Sequence, residues 1–127
     1  MSGGEGDGGV RARRMTGAPH LERRCSRLAR VLEASPGDEI TLLRAARALK
    51  GVHCQLAEAV RDAAGGWTYY DRAVAQRALS SMERDLRHVL LNHQTLRDQQ
   101  VRSCLLHAVQ QSFQVLDVMQ ALDLLAC

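Results

Sequence analysis

Between Trp67 and Cys127 the sequence contains neither glycine nor proline, the residues that most often end a helix. Leu, Ala, Arg and Gln dominate the chain and favour helix, whereas aromatic residues, which favour strands, make up only 3% of it. We therefore predict an all-α fold. The segment forms either one very long helix or two helices. Asn92–Thr95 favours a break, because asparagine tolerates the left-handed conformation that ends helices, and predicts helices over about 69–92 and 96–125.

Two more helices are predicted before this segment, because apolar residues recur there at spacings of three and four. The first begins at Pro19, a residue suited to a first helical turn. The second follows an N-cap at Ser35 and ends at about Ala64, where Gly65-Gly66 supplies a left-handed cap. The inward residues are Leu21, Cys25, Leu28 and Leu32 in the first helix, and Leu42, Ala46, Leu49, His53, Leu56, Val60 and Ala63 in the second.

The starts of the two C-terminal helices carry capping-box patterns. Thr68 precedes Asp71 by three residues, and Thr95 precedes Asp98 by the same spacing. The predicted inward residues are Val74, Leu79, Met82, Leu86, Val89 and Leu90 in the third helix, and Val101, Leu105, Val109, Ser112, Leu116 and Met119 in the fourth.

Glycine is concentrated at the start of the chain, where residues 1–18 hold six of the ten glycines. Such a segment buries too little apolar surface to offset its ordering entropy, so we predict a disordered tail over 1–18. Residues 19–127 then form one domain. Its expected architecture is an up-and-down bundle of three long helices plus a shorter N-terminal helix.

The formal net charge is only +3, which does not by itself require a nucleic-acid partner. The first helix nevertheless carries four arginines, Arg23, Arg24, Arg27 and Arg30, mainly off its apolar face. They form either a basic patch for nucleic acid or acidic lipid, or an ordinary solvated face. We favour the solvated face, since no aromatic platform is interleaved with them.

Cysteine and histidine raise the question of a metal or catalytic site. Cys104 and His107 share a helix face, and His53 and Cys54 are adjacent, but no C-x-x-C knuckle is present. No serine-elbow, Cys/His or phosphate-loop signature is found. We therefore expect no metal, no cofactor and no enzymatic activity.

The fourth helix differs from the others because residues 103–127 contain no Lys or Arg and carry a wide apolar arc. Wide exposed apolar surface tends to mark a binding site. The predicted partner-binding residues are Leu106, Phe113, Leu116, Leu122, Leu124 and Leu125. The alternative is that this helix is the buried centre of the bundle, because an internal helix is apolar all round.

These observations predict a non-enzymatic interaction subunit that uses its C-terminal helix to bind a protein partner or a second copy. The alternative function is a nucleic-acid-associated protein that uses the Arg-rich tail and first helix. No apolar run is long enough for a transmembrane helix. The expected compartment is cytoplasm or nucleus, with mitochondria as the less favoured alternative because of the acidic residues among the early arginines.

Overall fold

The computed structural model describes the backbone of residues 5–34 and 38–126 and the side chains of residues 19–34 and 38–122. Within these residues every regular element is helical. The α-helices are α1 (Glu5–Ala34), α2 (Glu39–Ala63), α3 (Tyr69–Asn92) and α4 (Asp98–Ala126), and a 3-10 turn at Ala64–Gly66 follows α2. The predicted all-α bundle is confirmed, as is the break that makes residues 69–125 two helices.

Side-chain contacts between consecutive helices show the up-and-down arrangement. Arg24 Nη1 of α1 donates to Gln55 Oε1 of α2 at 2.7 Å. His53 Nε2 of α2 lies 3.1 Å from the backbone oxygen of Leu79 in α3. Each pair lies at a similar distance from the loop that joins its two helices, so neighbouring helices run antiparallel.

The core lies between two central helices and two flanking ones. Both α2 and α4 pack against each of the other three helices, while α1 and α3 lie on either side of that pair. The fully buried large side chains are Leu32, Leu42, Leu49, Leu56, Met82, Leu105, Leu116, Val52, Val60, Val89, Val109 and Val115. Every described helix contributes to this list, so the bundle has one continuous core.

The first helix extends further toward the N-terminus than predicted. It is assigned from Glu5, with Pro19 inside it rather than at its start. Proline suits a first turn but also occurs inside a helix, at the cost of one backbone hydrogen bond. Side chains of the predicted tail, residues 1–18, lie outside the described residues. Packing of the described part begins at Leu21, which is buried in the core.

The second helix begins and ends differently from the prediction. Its N-cap is Asp38, whose Oδ2 accepts the Thr41 amide at 3.3 Å and the Thr41 hydroxyl at 2.9 Å. The predicted cap Ser35 lies outside the described residues, and the helix starts three residues beyond it, because the carboxylate of Asp38 satisfies the free amides. At the other end, Ala64 caps the helix in a right-handed conformation and Gly65-Gly66 continue into the 3-10 turn, so the predicted left-handed cap is wrong.

Of the two predicted capping boxes, only the first is found. Thr68 is the N-cap of α3: its Oγ1 accepts the Asp71 amide at 3.1 Å and donates to Asp71 Oδ2 at 2.8 Å. The second prediction is wrong, because the Thr95 hydroxyl donates instead to the Asn92 carbonyl at 3.0 Å. The α4 helix starts at Asp98, and the amide of Arg97 is satisfied by the Gln100 side chain at 2.9 Å.

Candidate functional site

The predicted contact residues of α4 divide between the core and its edge. Leu116 is only 1% exposed and belongs to the core, so its assignment as a partner contact is wrong for the folded bundle. Leu106 and Phe113 are half-buried and pack against the core. Leu122 is half-buried, whereas the side chains of Leu124 and Leu125 lie outside the described residues.

The wide apolar arc of α4 follows from its central position. Because α4 packs against three helices, it needs apolar side chains over a broader arc than a helix facing one neighbour. Its solvent-exposed face is polar without being basic, and the exposed residues there are Ser103, His107, Gln110, Gln114 and Asp117. The absence of Lys and Arg therefore does not by itself indicate an exposed apolar surface.

Apolar side chains remain exposed where the start of α3 lies beside the end of α4. Tyr69 and Tyr70 are 82% and 73% exposed. Val74, Val118 and Leu122 are half-buried and lie outside the core cluster. We call these five residues the tyrosine surface.

The register of α3 against α4 places these side chains together. His107 Nδ1 donates to Asp85 Oδ2 at 2.5 Å, which pairs the middle of one helix with the middle of the other. Equal numbers of residues from this pair, toward the start of α3 and the end of α4, reach Val74 and Val118, and further out Tyr70 and Leu122. Equal rise per residue in the two helices puts each of those pairs at one level.

The polar cluster around His107 is the described arrangement that most resembles catalytic machinery. It combines His107 and Cys104 of α4 with Asp85 of α3, and Gln111 Nε2 lies 3.5 Å from His107 Nε2. Burial, with a further contribution from the nearby Asp85 carboxylate, raises the pKa of the Cys104 thiol. A thiol shifted in this direction stays protonated at neutral pH, the opposite of an activated nucleophile. The cluster therefore ties α3 to α4 and does not prepare cysteine chemistry.

The other cysteine and histidine candidates serve packing. His53 bonds to the α3 backbone through the Leu79 carbonyl, and Cys25 is fully buried. Ser112, the one buried polar side chain among the described residues, donates to the Val109 carbonyl at 2.6 Å and lies 3.2 Å from Cys25 Sγ. Within the described side chains, no group of three or more His, Cys, Asp or Glu residues is arranged to hold a metal ion.

The predicted basic patch lies on the outer side of α1. Arg23, Arg27 and Arg30 are exposed, and Arg24 is half-buried against α2. The sequence interpretation missed its continuation, because three exposed cations of α2 lie on the adjoining helix: Arg44, Arg47 and Lys50. We call these seven residues the basic face.

Comparison of the chain with models of protein families, with curated proteins and with solved structures finds no match. In the part of the chain that the structure describes, no helix combines the length and the apolar character needed to cross a bilayer.

Proposed function

We propose that the protein is a non-enzymatic interaction subunit that binds a protein partner, or a second copy of itself, through the tyrosine surface. The observation that carries the proposal is the exposure of Tyr69 and Tyr70, which are two of the four aromatic residues in the chain. Tyrosine is enriched at the centres of protein interfaces, where its ring is buried and its hydroxyl finds a polar partner.

The location of the tyrosine surface supports an interface that includes the end of α4. Leu122 lies at the same level as Tyr70, and the chain continues past it with Leu124 and Leu125. The set of contact residues predicted from the sequence is thereby revised: Leu122 stays, Leu116 is removed, and the aromatic contribution comes from α3. Leu106 and Phe113 pack against the core, so they are poor sites for separating binding from folding.

A non-enzymatic role is supported by the chemistry of the described side chains. The Cys104 thiol is shifted toward its protonated form, and His107 is bonded to Asp85. A reducing compartment, cytoplasm or nucleus, suits the free thiols of Cys25, Cys54 and Cys104.

The test compares Tyr70→Arg with Leu91→Arg. Leu91 is 74% exposed and lies at the other end of α3, so both variants place one arginine on an exposed site of the same helix. Losing a buried aromatic contact costs about 1.5–3 kcal/mol, which is roughly 10- to 100-fold in affinity. Exposed substitutions change stability by about 0.5 kcal/mol or less, so both variants should stay helical with nearly unchanged melting.

Partner capture from native cells is measured by quantitative mass spectrometry, and self-association by light scattering over a concentration series. We expect Tyr70→Arg to lose the partner or the dimer and Leu91→Arg to retain it. Equal retention by both variants, or equal loss, would show that the tyrosine surface is not the interface.

A further inference from the structure

Two segments of the chain carry cations and no acidic residue. Residues 23–32 contain four arginines, and residues 40–57 contain Arg44, Arg47 and Lys50. Together they hold seven of the 17 Lys and Arg residues, although the net charge of the whole chain is only +3. The remainder of the chain is therefore net acidic, and the positive charge is concentrated in these two segments.

Antiparallel packing of α1 and α2 brings the two segments side by side. The Arg24 side chain reaches across to Gln55, with 2.7 Å between Nη1 and Oε1. The same guanidinium lies over Gly51, since a Cβ at that position would be 3.9 Å from Arg24 Nη2. Arg27 of α1 is then beside the stretch of α2 that holds Arg47 and Lys50.

The charges of the basic face are available to a ligand. Six of its seven side chains are exposed, and none of the seven forms an ion pair with a described residue. Like charges gathered this closely repel one another, and a polyanion that neutralises several of them at once relieves that repulsion.

The residues at the centre of the basic face indicate which polyanion fits. Between the cations lie the small residues Ala48 and Gly51, and neither acid-free segment contains an aromatic residue. Protein interfaces are centred on large apolar or aromatic side chains, and single-stranded nucleic acids are held by stacking on aromatic rings. Six of the seven cations are arginines, whose planar fork matches phosphate oxygens.

We propose that the basic face binds the phosphate backbone of a duplex nucleic acid without reading its base sequence. This inference is independent of the tyrosine surface, which lies on the other helix pair. The apolar side chains exposed at the edge, Val31 and Ile40, lie toward the α1–α2 loop and not among the cations. Insertion into a lipid surface would require apolar groups at the centre.

The experiment measures binding of the full chain to a fluorescent DNA duplex of about 20 base pairs over a range of salt concentrations. The variant Arg27→Gln/Arg47→Gln/Lys50→Gln removes three charges from the basic face. Removing one cation that neutralises a phosphate should reduce the slope of log affinity against log salt by about one, so the slope should fall by about three.

The matched control is Arg72→Gln/Arg77→Gln/Arg84→Gln, which removes three exposed charges from α3 and changes the net charge equally. It should retain nearly the wild-type affinity and slope, and circular dichroism should show both variants folded. No binding by the wild-type chain at about 50 mM salt, or equal weakening by the two variants, would overturn the proposal. Tighter binding to a single strand, to anionic vesicles or to polyglutamate than to the duplex would do so too.

Discussion

The position of Leu116 decides whether the apolar stripe of α4 is core or interface, and Leu116→Ala measures it. The substitution removes three carbon atoms, worth about 2.4 kcal/mol at about 0.8 kcal/mol each. Because Leu116 is fully buried on a helix packed against three others, the surroundings collapse little and a cavity remains. We therefore expect a loss of about 3–4 kcal/mol in the free energy of unfolding, and a melting temperature lower by roughly 12–16 °C.

The matched control is Leu91→Ala, the same chemical change at a side chain that is 74% exposed. It should alter stability by about 0.5 kcal/mol or less. Urea denaturation followed by circular dichroism measures both variants, and an unchanged dependence on urea shows that they unfold like the wild type. If Leu116→Ala costs no more than Leu91→Ala and instead abolishes partner binding, the placement of this residue in the core is refuted.

Two further predictions concern a helix cap and a buried thiol. Thr68→Ala removes the hydroxyl that accepts the Asp71 amide and should cost about 1 kcal/mol, within the usual range of about 0.5–2; Thr95→Ala, which removes no cap, should cost less in the same urea titration. Burial raises the pKa of the Cys25 thiol, so the folded state holds this proton more tightly than the unfolded chain. Its stabilising contribution is complete below the ordinary thiol pKa of about 8.5 and is lost as pH rises above that value. Unfolding free energies from about pH 7 to 10 should therefore decline more steeply in the wild type than in Cys25→Ala; identical slopes would contradict this assignment.

The helices could be predicted from the sequence because two signals agree. Spacing of large apolar residues marks the inward faces, and the absence of glycine and proline after Gly66 leaves few places for a chain break. Helix ends were less predictable, since several polar residues near each end compete for the same free amides. Asp38 and the Gln100 side chain satisfy amides where Ser35 and Thr95 were expected to act.

Small core residues also escaped the pattern. Ala45, Ala78 and Ala108 are buried although none was assigned to an inward face. Alanine is common on both exposed and buried helix faces, so its position becomes informative only once the neighbouring helix is in place. Where two helices approach closely, a methyl group fills the space that a leucine would overfill.

The candidate surfaces could be predicted only in part, because each combines residues from two helices. The arginines of α1 form a local pattern, whereas their alignment with Arg44, Arg47 and Lys50 depends on how α1 packs against α2. Tyr69 and Tyr70 precede Leu122 by some fifty positions in the sequence, and only the antiparallel register of α3 and α4 brings them to one level. The assignment of Leu116 was wrong for a related reason: a wide apolar arc is equally consistent with an exposed face and with a helix that has three neighbours.

The separation of the two surfaces bears on what the bundle does if both proposals hold. The basic face lies on α1 and α2, the tyrosine surface lies on α3 and α4, and neither includes a fully buried side chain. Occupying one therefore requires no rearrangement of the core and leaves the other open. A packed core couples two sites only when it has alternative arrangements that the ligands favour differently. A single well-packed bundle would thus hold a duplex and a protein partner at a fixed distance without cooperativity, which is the behaviour of a structural link and not of a switch.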